Sequence, residues 1–144
     1  MTDDKRYFID TNVLLTASDR DRPNHAEAVQ FLESSLSGER RLFANGQVFR
    51  EYLVVATRPL ENNGFGLTPS DALTNLEAFG KCIQLLDESQ TVAQQLQQLV
   101  KQHSLKGKRI HDANLVATMR ENGLTQLKTY NYGDFSSFEG VEFA

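Results

Sequence analysis

The stretch YFIDTNVLL, Tyr7 to Leu15, decides how this chain folds. Tyr7, Phe8 and Ile9 form a short apolar run of the kind a buried strand needs, and Asn12 to Ala17 reads as the start of a helix. Asp10 therefore sits at a strand-to-helix corner, with polar Thr11 and Asn12 beside it. A carboxylate at the edge of a core is costly unless something holds its charge. That makes Asp10 the first residue to suspect of chemistry.

Working outward, the same alternation repeats. Pro23 opens a second helix with Ala26, Val29, Leu32 and Leu36 at helical spacing, closed by Gly38. Leu42-Phe43-Ala44 predicts a second strand, and Gln47 to Thr57 a helix ahead of Pro59. Asn62 to Gly66 is a loop, since its glycines and asparagines tolerate turn geometry. Ala72 to Phe79 follows as a helix capped by Thr68 or Ser70. Cys82 to Leu86 then reads as a strand that buries the lone cysteine, and Val92 to His103 as a helix. Lys106 to Arg109 is a basic turn, His111 to Glu121 a helix ended by Asn122-Gly123, and Leu127 to Tyr130 a strand. Strands alternating with helices predict an α/β three-layer sandwich, a mainly parallel central sheet flanked by helices. Residues 1–144 show no composition shift or repeat, so one domain is expected. In open sheets of this type, sites form beyond the carboxyl ends of the strands, where Asp10 falls.

Bulk properties narrow the function. The chain has 144 residues, 40% hydrophobic and 24% charged, as an ordinary globular domain does. No segment approaches the roughly 20 consecutive apolar residues of a bilayer span. The start, Met1-Thr2-Asp3-Asp4, is acidic where a signal peptide is basic, which predicts a cytoplasmic protein. A single cysteine, Cys82, excludes an intrachain disulfide and a multi-cysteine zinc site. The net charge of −4 argues against binding nucleic acid through a general basic field. A polyanionic substrate would need local neutralisation.

Three further acids stand out. In GQVFREYLVVATR, Glu51 lies at the edge of an apolar stripe made by Val48, Phe49, Tyr52, Val55 and Ala56. It reads either as a surface residue paired with Arg50 or Arg58, or as a group turned inward. In HDANLVATMRENG, Asp112 shares a face with Leu115, Val116 and Met119, so it points inward unless it serves as a helix cap. In TYNYGDF, Thr129 to Phe135, a strand runs into a turn carrying Asn131 and Asp134. If these acids converge, each pair at 4 Å repels by roughly 4 kcal/mol at an effective dielectric of 20. Such a cluster needs a cation or a shared proton. With only oxygen ligands on offer, the hard ions Mg²⁺ or Mn²⁺ suit it better than zinc. An ion of that kind suits phosphodiester hydrolysis, since it lowers the pKa of a bound water and screens transition-state charge. Lys106, Lys108 and Arg109 are then candidate contacts to a nucleic-acid backbone, or a solvated turn.

With Asp10-Thr11-Asn12, Glu51 in QVFREYL, His111-Asp112-Ala113 and TYNYGDF on the page in that order, the sequence resembles the PIN-domain family. Within it, it is similar to the VapC-like ribonuclease toxins of toxin-antitoxin pairs. The resemblance implies a Mg²⁺- or Mn²⁺-dependent endoribonuclease, a homodimer and a small VapB-like antitoxin. It implies Asp10 and Asp112 as metal ligands, Glu51 as a further ligand or the group that orients or deprotonates the attacking water, and Asp134 as the fourth acid. Asn131 stands where some relatives carry an acid. Thr11 or Asn12 would fix the Asp10 carboxylate. A nuclease of RNA maturation or decay, or an inactive binding module, keeps the fold and changes the role. A haloacid-dehalogenase-type phosphatase needs a carboxylate where Asn12 stands, and a receiver domain needs no inward Glu51.

Overall fold

A computed structural model describes residues 4–144, so the acidic start from Met1 to Asp3 lies outside the described residues. Five strands, β1 (Arg6–Ile9), β2 (Arg41–Asn45), β3 (Ile83–Leu86), β4 (Gln126–Lys128) and β5 (Glu142–Phe143), form one sheet in the order β3-β2-β1-β4-β5. Every neighbouring pair is parallel, with Phe8 beside both Phe43 and Leu127. The expected mainly parallel sheet is thus wholly parallel. β5 was not foreseen, because a two-residue strand carries no periodicity.

Six helices connect the strands: α1 (Thr11–Ala17), α2 (His25–Glu33), α3 (Gly46–Thr57), α4 (Pro69–Gly80), α5 (Gln90–His103) and α6 (Lys108–Glu121). α1 packs on α2 and α3, α3 on α4, and α5 on α6. α1 and α2 carry β1 to β2 and α3 and α4 carry β2 to β3, toward one edge of the sheet, while α5 and α6 return the chain to β4 on the other side of β1. Helices cover both faces, giving the three-layer α/β fold.

The apolar run of β1 is the centre of this arrangement. Phe8 and Ile9 are fully buried, as are Val13 and Leu14 on α1, Val48 and Tyr52 on α3, Val116 on α6 and Leu127 on β4. Burying side chains of this size contributes about 1.5–3 kcal/mol each. Tyr52 places its hydroxyl 2.8 Å from Ser18 Oγ and accepts from Asn75 Nδ2 at 3.1 Å, which ties α3 to α1 and α4.

Local chemistry fixed most boundaries and corrects several expectations. Asn45 caps α3 by accepting from the Val48 amide at 3.1 Å, so the helix starts one residue earlier than Gln47. Thr68, not Ser70, caps α4. α2 starts at His25 and ends at Glu33, because the serines that follow bond back to local carbonyls and turn the chain. Lys108 and Arg109 belong to α6 rather than to a basic turn, and the turn itself is made by Gly107 at φ 59°. β4 ends at Lys128, two residues short of Tyr130. Cys82 is half-buried, just ahead of β3. The loop Glu61 to Leu67 folds back on α3, where the Phe65, Gly66 and Leu67 amides donate to the Val55, Arg58 and Ala56 carbonyls. Only glycine suits position 64, since a Cβ there would lie 2.0 Å from the Arg58 carbonyl oxygen.

Candidate active site

β1 leads outward to one side of the sheet through α1, while its neighbour β4 is reached from the other side. Between their carboxyl ends lies the switch point at which open α/β sheets form crevices. Asp10 closes β1 and caps α1, its Oδ1 accepting from the Thr11 amide at 2.7 Å. Its Oδ2 accepts from Thr129 Oγ1 at 2.9 Å and from Asn12 Nδ2 at 3.2 Å. Thr129, fully buried just past β4, also receives the Asn12 side-chain amide at 3.1 Å and the Asn131 backbone amide at 3.0 Å. The Asn12 side-chain Oδ1 accepts from the Tyr130 amide at 3.2 Å. Two strand ends are thereby laced around one carboxylate. Both Thr11 and Asn12 hold Asp10, and Thr129 joins them.

Glu51, one turn into α3, receives the side-chain amide of Gln47 and, at 3.5 Å, the hydroxyl of Thr11. It forms no ion pair with Arg50 or Arg58, so the surface-pair reading of Glu51 is set aside. Gln47 is buried, donates also to the His111 carbonyl at 3.1 Å, and accepts from Asn114 Nδ2 at 2.6 Å. Asn114 donates in turn to Glu88 Oε1 at 2.7 Å. Asn114 thereby links α6 to α3 and to the loop before α5.

Asp112 is the fifth residue of α6, whose N-cap is Gly107, so it is no cap. Its side chain is 24% exposed and lies on the face that buries Leu115, Val116 and Met119. Arg109 Nε stands 3.6 Å from Asp112 Oδ2. The same guanidinium donates to the Asp134 carbonyl at 3.3 Å and to Ser137 Oγ at 3.1 Å, and lies over the Phe138 ring. Arg109 is thus fastened between Asp112 and the turn that carries Asp134, and is not a free cation for a ligand. Asp134 ends the short 3₁₀ segment Tyr132–Asp134 and is exposed. Asn131 precedes that segment, also exposed. Tyr130 anchors its own segment through a hydroxyl bond to Glu27 at 2.9 Å, and Tyr132 packs edge-on against Phe143.

Two of the four acids hold their protons unusually tightly. Burial lifts Asp10 from 3.8 to about 6; the Thr129 hydroxyl and Thr11 amide oppose this, while Glu51 and Asp134 add to it. Burial likewise lifts Asp112 to about 6, reinforced by Asp134, Asp10 and Glu51 and opposed by Arg109. Asp10 and Asp112 are thus two acids, raised by burial, that also feel the charge of Glu51 and Asp134. Their donor set is oxygen throughout, as hard divalent ions require. Among the described residues, no three His, Cys, Asp or Glu side chains already enclose a point where an ion would sit. Mg²⁺ does not need such a cage, because it retains waters and binds through one or two carboxylates.

Beside Glu51 and Asp112 an open cleft of about 490 Å³ runs between α3 and α6, lined also by Arg50, Val54, Arg58, Lys108 and His111. Elsewhere, Val29, Leu32 and Leu36 prove to differ in burial: Leu32 is core, Val29 is half-buried, and Leu36 is 66% exposed at an open groove with Phe79 and Cys82. Among the described residues no helix is long and apolar enough to cross a membrane.

An acidic crevice at the switch point of a parallel α/β sheet defines the class of protein. The sequence matches the PIN domain family over residues 7–140, and the chain belongs to that family. Ribonuclease VapC23 of Mycobacterium tuberculosis is 32% identical over 131 residues, which cover 91% of this chain and 97% of that protein. Ribonuclease VapC48 of the same organism is 29% identical over 134 residues, 92% of this chain and 91% of the relative. Among solved structures, VapBC2 from Rickettsia felis bound to a promoter DNA fragment superposes with a TM-score of 0.69 at 13% identity, over 96% of this chain and 97% of that one. VapC20 of M. tuberculosis, described as a sarcin-ricin loop cleaving toxin, gives 0.67 at 14% identity over 94% and 98%. At such identities the structural likeness speaks for the fold alone.

Proposed function

We propose that this protein is a Mg²⁺- or Mn²⁺-dependent endoribonuclease, the toxin of a toxin-antitoxin pair. The observation that carries the reading is geometric: Asp10 is held by three donors at the switch point of a PIN-family fold, with Glu51 bonded to the adjacent Thr11 and Asp112 on the inward face of α6, tied through Arg109 to the Asp134 turn. Kinship with ribonucleases VapC23 and VapC48 supports RNA as the substrate. In this reading Asp10 and Asp112 hold the ion. The ion supplies Lewis acidity toward a phosphate oxygen and acidifies a water. Glu51, steadied by Gln47 and Thr11, orients or deprotonates the attacking water, and Asp134 completes the acidic set. Asp10 is held by three donors, so its carboxylate keeps one orientation whether or not an ion is present. Arg109 restrains Asp112 and the Asp134 turn together, limiting how far the like charges push them apart.

The reading extends to a homodimer working in the cytoplasm and to a small VapB-like antitoxin protein that silences it; the VapBC complexes among the fold neighbours support the antitoxin alone. Purified, antitoxin-free protein incubated with total cellular RNA tests the activity. Discrete fragments in Mg²⁺ or Mn²⁺, absent with EDTA, are expected. Fragments that persist with EDTA, or intact RNA in both metals, would refute it.

A further inference from the structure

The chain carries net charge −4, yet Arg50, Arg58 and Lys108 all line the cleft that ends at Glu51 and Asp112. None of the three makes an ion pair or side-chain hydrogen bond among the described residues, whereas Arg6, Arg22, Arg40, Arg109 and Lys128 are paired with acids. All three are exposed. Arg50 and Val54 on α3 and Arg58 at its C-cap are spaced four apart, so they form a stripe along about 12 Å of the helix axis. Val54 between them is 52% exposed, an apolar floor flanked by cations. Lys108 faces the stripe from the first turn of α6.

An acidic protein that leaves three cations unpaired along one cleft, beside its carboxylates, has built a local strip of positive charge. Charges so placed meet successive backbone phosphates, and an open cleft with an apolar floor accepts unstacked bases better than a duplex. We infer that the α3–α6 cleft holds the single-stranded RNA backbone on one side of the scissile bond, with Arg50, Arg58 and Lys108 contacting its phosphates. This deepens the ribonuclease reading and rests on it. Arg109, which the sequence put in the same basic run, takes no part, since it is occupied by Asp112 and the Asp134 turn.

The test uses full-length Arg50→Gln, Arg58→Gln and Lys108→Gln, singly and combined, with Arg20→Gln and Lys101→Gln as exposed controls away from the cleft. Cleavage of a fluorescein-labelled single-stranded RNA in Mg²⁺ is followed across salt concentrations. Each cleft variant is expected to raise KM roughly fivefold at 0.1 M salt and to flatten the logarithmic salt slope by about 0.7, with kcat little changed. The controls keep the wild-type slope. If wild type cuts RNA and the cleft variants match the controls, the cleft inference fails while the ribonuclease reading stands. If wild type neither cuts nor binds RNA, the ribonuclease reading fails and takes the inference with it. Loss of polyglutamate binding in the cleft variants, with RNA kinetics unchanged, would assign the cleft to an acidic polypeptide and overturn the proposal.

Discussion

Asn114 on α6 donates its side-chain amide to the Gln47 side-chain oxygen on α3 at 2.6 Å, and Gln47 passes its own amide to Glu51. Neither residue needs to touch a substrate for this to matter. A buried amide held at its oxygen has its NH₂ group aimed, so the Glu51 carboxylate has a fixed donor on one oxygen and Thr11 on the other. Gln47→Ala should lower kcat by roughly tenfold to a hundredfold with KM little changed, as loss of a group that orients a catalytic carboxylate does. Asn114→Ala should have a smaller effect in the same direction. Steady-state kinetics on a defined RNA decide it, and an unchanged kcat in Gln47→Ala would remove Glu51 orientation from the account.

Thr129 gives Asp10 a second kind of support. Thr129→Val keeps the shape and removes the hydroxyl that donates to Asp10 Oδ2. It also strands the Asn131 amide that the hydroxyl accepts, so a cost of about 1–3 kcal/mol in stability is expected. The functional signature is separate. Without that donor the Asp10 carboxyl titrates at higher pH, so the acidic limb of the activity profile should move upward while the plateau is partly kept. A profile that falls in height without moving would mean that Thr129 acts only on the fold.

Burial of Asp10 and Asp112, reinforced by the neighbouring acids, makes stability depend on pH. Asp10 and Asp112 titrate near 3.8 in the unfolded chain and at about 6 in the fold. Below 3.8 both are protonated in either state and exact no penalty. Between 3.8 and about 6 the unfolded chain releases protons that the fold keeps, so stability falls as pH rises, and above about 6 the penalty is complete. Asp112→Asn should therefore raise the metal-free stability at pH 7 by about 1–2 kcal/mol, after allowance for solvent screening, and change it little at pH 4. Asp10→Asn should gain less, because its new amide nitrogen would face the Asn12 amide donor. Urea unfolding at the two pH values measures both.

Gly64 offers a control on the fold alone. Gly64→Ala places a methyl group against the Arg58 carbonyl and should destabilise by about 1–3 kcal/mol. Its specific activity well below the melting temperature should be close to wild type. A loss of activity in the folded variant would give the α3–α4 joint a role beyond connection.

What the sequence disclosed, and what it withheld, follows from the range of the interactions. β1 and α1 were legible because Tyr7 to Ala17 carries its own pattern, and the inward turn of Asp112 followed from its spacing to Leu115, Val116 and Met119. Glu51 was ambiguous since position on a stripe's edge does not say which neighbour it meets; the choice fell to Gln47 and Thr11, the latter 40 residues away. Thr129 and Gln47 were missed altogether. A threonine after a strand and a glutamine in a helix have no local signature, and their partners Asp10 and Asn114 lie 119 and 67 residues away. Arg109 was misplaced by a boundary: once Gly107 turns the chain, Arg109 falls one turn before Asp112, within reach of its carboxylate.

The central claim is that these acids form a site completed by a divalent cation, and thermal melting of wild type and Asp112→Asn at pH 7 across a Mn²⁺ titration tests it most directly. Wild type is predicted to melt lower than the variant without metal and to rise steadily with Mn²⁺, as binding to the folded state alone requires. Asp112→Asn should start higher and rise little. Wild-type melting indifferent to Mn²⁺, or an equal rise in both proteins, would contradict the account.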